Sequence, residues 1–140
     1  MNAELNHIGK ILSEAKTIAV VGISRQPNKT SREIANFLVD KGYNVVGVNP
    51  AFGDGNAHGI KVFSKLADIP FKIDIVDVFR RSEDIPEIID DVLAIRPKVL
   101  WLQQGIRNDE AVKPVVDKGI EVIQDKCIAV YHSLTKQFRN

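Results

Sequence analysis

The sequence predicts an α/β chain: an open, doubly wound, mostly parallel sheet of about five strands with helices on both faces. Three observations predict it. Short β-branched runs alternate with segments of helical periodicity along the whole chain. The runs are apolar nearly throughout, as strands buried on both faces must be. Between them stand helix-length segments, and parallel neighbours need such crossovers.

The elements follow in order. Leu5, Ile8, Leu12 and Ala15 share one face of a first helix. Thr17 to Ile23, TIAVVGI, is the first strand. Thr30 to Lys41 follows as a helix, with Thr30 and Glu33 in capping-box spacing, Ile34, Phe37 and Leu38 facing inward, and Gly42 at its stop. Asn44 to Val48 is the second strand. Ala51 to Pro70 is glycine-rich and irregular, with a short extended piece at Ile60 to Phe63. Ile73 to Phe79 is the third strand. Ser82 caps a helix with Pro86 near its first turn and Ile85, Ile88, Ile89 and Val92 on its apolar face. Lys98 to Leu102 is the fourth strand. Within Asn108 to Lys118, Pro114 favours a shorter helix after a tight turn. Gly119 ends that helix, Ile120 to Ile123 is a fifth strand, and Ile128 to Phe138 is a final helix.

The chain has 140 residues, the size of a single domain, with 44% hydrophobic and 26% charged residues. Its formal net charge of +1 argues against non-specific nucleic-acid binding, so an anionic ligand must be held by a local cluster. A single cysteine, Cys127, excludes an internal disulfide and suits a reducing compartment. No apolar run has the length of a membrane span, and the N-terminus lacks a signal peptide's apolar core. The expectation is a cytoplasmic protein.

Doubly wound sheets bind ligands at the carboxyl ends of their strands, where strand order reverses. Those ends hold Gly22-Ile23-Ser24, Asn49-Pro50, Phe79-Arg80 and Gln103-Gln104-Gly105. Gly22 lets backbone approach a ligand. Thr30 and Ser31 open a helix whose N-terminus favours an anion, although they serve equally as caps. Arg25, Lys29 and Arg32 add positive charge, and Arg80 can reach in from the third strand. A phosphate-rich small molecule suits this edge. NAD fits poorly, because Val48-Asn49-Pro50 offers no carboxylate to the adenosine ribose and the loop lacks the second and third glycines. NADP tolerates the missing carboxylate, so an NADP-linked oxidoreductase stays open as the alternative.

Six blocks carry a resemblance: VVGISRQPNKTS, GYNVVGVNP, SKLADIP, IDIVDVFRRSE, LWLQQGIRN and QDKC. With this order and spacing, from about Thr17 to His132, the chain resembles the stand-alone CoA-binding domain proteins. These are similar to the N-terminal CoA-binding domain of the succinyl-CoA synthetase α subunit. The resemblance implies a Rossmann-like fold and coenzyme A, or an acyl-CoA, as the ligand. It implies that Gly22, Ile23 and Ser24 contact the phosphate and nucleotide portion, with Arg25 and Thr30 in the same loop and Lys29 and Ser31 on phosphate oxygens. It implies that Asn49 and Pro50 shape the adenosine pocket. Val78, Phe79 and Arg80 would border the adenine or the 3′-phosphate, and Gln104 and Gly105 the pantetheine path. CoA carries a diphosphate and a 3′-phosphate, so it requires donors and cations from several loops.

The departure from the synthetase is that its phosphorylated histidine lies in a second domain, for which this sequence has no room. His7, His58 and His132 sit in no catalytic motif. The expected function is therefore non-catalytic: a carrier, sensor or regulatory module, its protein partner unspecified, with an NADP-linked oxidoreductase or a CoA-handling enzyme acting with a partner as the alternative. Cys127 follows the fifth strand and could form a mixed disulfide with the CoA thiol, or could be a small buried hydrophobe. Asp74 is expected at a solvated strand start, Asp77 near the ligand edge bonding to loop backbone, and Trp101 in the core.

Overall fold

The computed structural model describes residues 2–52 and 55–138, so Gly53 and Asp54 of the glycine-rich stretch lie outside the described residues. Helix α1 (Asn2–Glu14) leads into β1 (Thr17–Val21), α2 (Thr30–Asp40) and β2 (Asn44–Val48). A hairpin, β3 (Gly55–Ala57) and β4 (Ile60–Phe63), precedes β5 (Ile75–Val78). The remainder is α3 (Ile89–Ile95), β6 (Val99–Leu102), α4 (Asp109–Asp117), β7 (Glu121–Ile123) and α5 (Ile128–Leu134).

The strands form one sheet in the order β3-β4-β2-β1-β5-β6-β7. All pairings are parallel except β3 with β4. The architecture is Rossmann-like and doubly wound, as expected, but with seven strands instead of about five. The extended piece at Ile60 to Phe63 pairs with β2, and β3 turns back on it through His58 and Gly59, both at positive φ. That pairing of φ values makes a two-residue hairpin match the twist of its strands.

Strand alternation divides the core into two layers. Ile18, Val20, Ile75, Val99 and Trp101 face α1, α2 and α5. Ala19, Val21, Val76, Val78, Leu100 and Leu102 face α3 and α4. Apart from Thr17, the central strands β1, β5 and β6 are buried throughout, and each Val or Ile so buried contributes about 1.5–3 kcal/mol. Trp101 is in the core as expected, and its Nε1 donates to the Lys126 carbonyl at 2.7 Å.

Four local expectations change. The N-cap of α2 is Lys29, with no side-chain capping bond, so Thr30 is the first helical residue and the capping box does not form. Ser82 opens a 3-10 segment, Ser82–Ile88, and α3 begins only at Ile89. Pro86 lacks the N–H that an α-turn there would use. Ser82 instead joins two loops: its Oγ accepts from Arg107 N at 3.0 Å and its carbonyl from Asn108 Nδ2 at 2.9 Å. Helix α4 runs through Pro114 from Asp109, because Asn108 caps it by accepting from Ala111 N and because Val112 and Val115 are buried. The tail is helical only to Leu134, followed by a 3-10 turn, Lys136–Phe138.

Candidate functional site

The chain order of the strands reverses at β1, whose neighbours are β2 and β5. The carboxyl ends of β1 and β5 therefore flank the crevice where such sheets bind ligands. Gly22 occupies it at φ +89°, with its N–H bonded to Val48 O at 2.8 Å. A Cβ there would lie 2.7 Å from the Phe79 carbonyl oxygen. Phe79 is itself fixed, donating from N to Val21 O at 2.8 Å. Only glycine closes the sheet edge this tightly.

Next to this contact opens a cavity of about 620 Å³. Its apolar floor is Val21, Val48, Leu66 and Ile88, from the layer that faces α3. Gly22, Asn49, Pro50, Phe79 and Arg80 line its rim, together with Ser64, Lys65, Glu87 and Asp91. Asn49 is held from both ends of its amide: Nδ2 donates to Ile23 O at 2.8 Å, and Oδ1 accepts from Ala51 N at 2.9 Å. Asp91 accepts from Ala67 N at 3.2 Å, which ties α3 to the 3-10 turn at Leu66–Asp68. Arg80 lies 2.9 Å from Glu87 and 3.8 Å from Asp84. A second hollow, of about 430 Å³, shares Phe79 and Arg80 and adds Ser82, Gly105 and Ile106.

The hydroxyl-rich loop lies on the other flank of Gly22, leading to α2 and the opposite core layer. Ser31 Oγ accepts from Ser24 N at 3.1 Å, and Ser24 Oγ accepts from Gln26 N at 3.0 Å. The Ser31 hydroxyl proton remains a donor. The Arg25 guanidinium stacks 4.2 Å over Phe52. Arg32 is 4% exposed, donating to the Arg25 carbonyl and to Asn36 at 3.3 Å. Among the described residues, Arg25, Lys29 and Arg32 belong to no ion pair.

The sequence-derived residues thus divide. Gly22, Asn49, Pro50, Phe79 and Arg80 meet around the main cavity, and Gly105 reaches the adjoining one. Ser24, Arg25, Lys29, Thr30 and Ser31 form the loop flank. Ile23 is fully buried under Gly47, so only its backbone reaches the edge. Val78 is a core residue, because period-two alternation turns it into the α3 layer. Gln104 is exposed and lines neither hollow; its neighbour Gln103 is buried and accepts from Ile128 N at 3.1 Å. Lys65, Glu87 and Asp91 were missed. Lys65 follows β4, which the sequence alone left outside the sheet, and the two acids share helical spacing with Ile88.

The remaining chemistry-bearing residues sit apart. Asp74 Oδ2 accepts from Lys16 N and Thr17 N, which anchors the start of β1. Asp77 does not bond to loop backbone. It is completely buried between Val20 and Trp101, neither oxygen has a partner among the described residues, and burial pushes its carboxyl well above the usual range. His132 is buried in α5, edge-on to the rings of Phe37 and Tyr43. His7 lies 2.7 Å from Glu121 at the opposite end of the sheet. Cys127 is the partly buried N-cap of α5, packed against the α1 side of the core.

A family described as a CoA binding domain matches residues 16–133. The chain belongs to the CoA-binding domain family. It is 42% identical over 135 residues to protein YneT of Bacillus subtilis (strain 168), described as uncharacterized, covering 96% of this chain and 98% of that one. Its fold is similar to that of a Thermus thermophilus protein, cell-free ID.343, with TM-score 0.90 and 36% identity over 94% of this chain and 98% of that one. It is also similar to the dinucleotide-forming acetyl-coenzyme A synthetase 1 of Ca. Korarchaeum cryptofilum, with TM-score 0.68 and 25% identity, over 81% of this chain but 26% of that longer one. No helix among the described residues is long and apolar enough to cross a membrane.

Proposed function

We propose that the chain binds coenzyme A or an acyl-CoA at this sheet edge and acts as a carrier, sensor or regulatory module without chemistry of its own. One observation carries the reading. A cavity with an apolar floor and a cation-bearing loop with no ion-pair partner among the described residues meet across Gly22 at the switch point. Family membership supports CoA as the class of ligand. The adenosine would lie in the 620 Å³ cavity against Val21, Val48 and Ile88. The diphosphate would cross Gly22 toward Lys29, the Ser31 hydroxyl and the N-terminus of α2, where free N–H groups and the helix dipole favour an anion. The pantetheine arm would leave past Phe79 and Gly105.

Calorimetric titration with CoA, dephospho-CoA, NAD and NADP tests the reading. CoA should bind best, dephospho-CoA more weakly, and Lys29→Ala should weaken both. Equal or tighter binding of NADP would replace this function with the oxidoreductase alternative.

A further inference from the structure

The main cavity carries its own opposing charge. Lys65, Arg80, Glu87 and Asp91 all line it, so its formal charge is zero. Arg80 is the cation shared by both hollows, and its guanidinium is already engaged, 2.9 Å from Glu87. The two acids near it differ. Asp84 is largely buried, with its side chain 19% exposed, and accepts from Arg81 Nε at 3.0 Å. Glu87 is 63% exposed and bonds to Arg80 alone among the described residues. Asp84 is held in place, whereas Glu87 is free to leave.

We propose that Glu87 is a specificity-determining residue: a displaceable counter-ion on Arg80 that a phosphate monoester must evict to bind there, so that Glu87 limits how far a ligand with a monoester is preferred over one without. The inference rests on the CoA reading for the identity of the ligand. Its physical basis is charge. A monoester carries about −1.5 to −2 at neutral pH and offers three acceptor oxygens to a guanidinium fork. A carboxylate or a singly charged diphosphate oxygen offers one negative charge. The dianion outcompetes Glu87 for Arg80; the monoanion gains nothing by the exchange. Eviction therefore lowers the affinity of ligands with a free monoester, such as the 3′-phosphate of CoA, and leaves that of ligands without one, such as dephospho-CoA, untouched.

The test is calorimetric titration of wild type, Glu87→Gln, Arg80→Ala, the double variant and Asp90→Asn with CoA and dephospho-CoA. Asp90 is exposed on α3 and outside the cavity lining, so it controls for general charge. Glu87→Gln should tighten CoA about two- to fivefold, the scale of one exposed ion pair, and leave dephospho-CoA unchanged. Asp90→Asn should change neither, and Arg80→Ala should erase both the preference for CoA and the effect of Glu87→Gln. Unchanged or weaker CoA binding by Glu87→Gln would overturn the proposal, as would equal tightening of both ligands. If wild type binds neither, the CoA reading falls, and inorganic phosphate decides the inference through the Arg80 guanidinium NMR signals. Perturbation at lower phosphate concentration in Glu87→Gln than in wild type supports it; equal or absent perturbation refutes it.

Discussion

Replacing Gly22 with alanine separates two costs that the structure makes distinct. The first is conformational. At φ +89°, an L-residue adopts a strained backbone, at about 1–2 kcal/mol. The second is steric. The new Cβ would stand 2.7 Å from the Phe79 carbonyl oxygen, a backbone atom just past β5 in a residue whose N–H is bonded to Val21 of β1. Relief requires parting two central strands, and overpacking of this kind costs about 1–3 kcal/mol. Gly22→Ala should therefore lose about 2–5 kcal/mol. Gly119→Ala supplies the reference, since Gly119 has φ +81° but no atom within 4 Å of the added Cβ. It should pay only the conformational part. Urea unfolding of the three proteins measures both, with a common slope m as the check that the unfolding reaction is unchanged. Equal losses in the two variants would refute the close approach of β1 and β5 at the site.

Three further outcomes follow from named contacts. Asn49→Ala removes the amide that joins Ile23 O to Ala51 N and should cost about 1–3 kcal/mol in urea unfolding while weakening CoA. Lys65→Ala should lower CoA affinity without changing the unfolding midpoint, because Lys65 is an exposed side chain on the rim; equal loss of both would make it structural. Asp77 has its folded pKa raised by burial, so the unfolded chain ionises first as pH rises. Its stabilising contribution is complete below the unfolded value of about 3.9 and is lost as pH rises toward the folded value. In that window wild type should lose about 1.4 kcal/mol per pH unit relative to Asp77→Asn, and parallel stability profiles would show that Asp77 does not titrate.

The sheet was legible because buried parallel strands must be apolar on both faces, and β1, β2, β5, β6 and β7 are written that way. The hairpin was legible only in part, with Ile60 to Phe63 read as an extended piece but not as a strand of the sheet. Its strands are three and four residues long, and β3 reads Gly-Asn-Ala, with no β-branched residue to mark it. That omission concealed Lys65, whose place on the rim depends on β4 joining β2. Strand ends predicted the rim where a turn exposes the next residue, as at Asn49 and Arg80. They failed where alternation continued the strand inward, as at Val78. Gln103 and Gln104 show the same difficulty: adjacent identical residues, one bonded to the start of α5 and the other in solvent. Burial of Asp77 could not be read either, since a carboxylate among valines looks like a strand end until its neighbours are known to be Val20 and Trp101.

The arrangement on either side of Gly22 explains how a nearly neutral protein can favour a polyanion. In the cavity, Lys65 and Arg80 are matched by Glu87 and Asp91, so until a dianion displaces Glu87 this flank offers little net attraction and suits a neutral base over its apolar floor. On the loop, Arg25, Lys29 and Arg32 have no ion-pair partner among the described residues, and α2 adds the positive end of its dipole. Attraction is therefore concentrated on one side and shape on the other. A ligand with only a base or only a diphosphate uses half of the edge, whereas one with both engages the second flank at the high effective concentration set by its own covalent link. Gly22 is where the two halves must join, and any side chain there would stand between them.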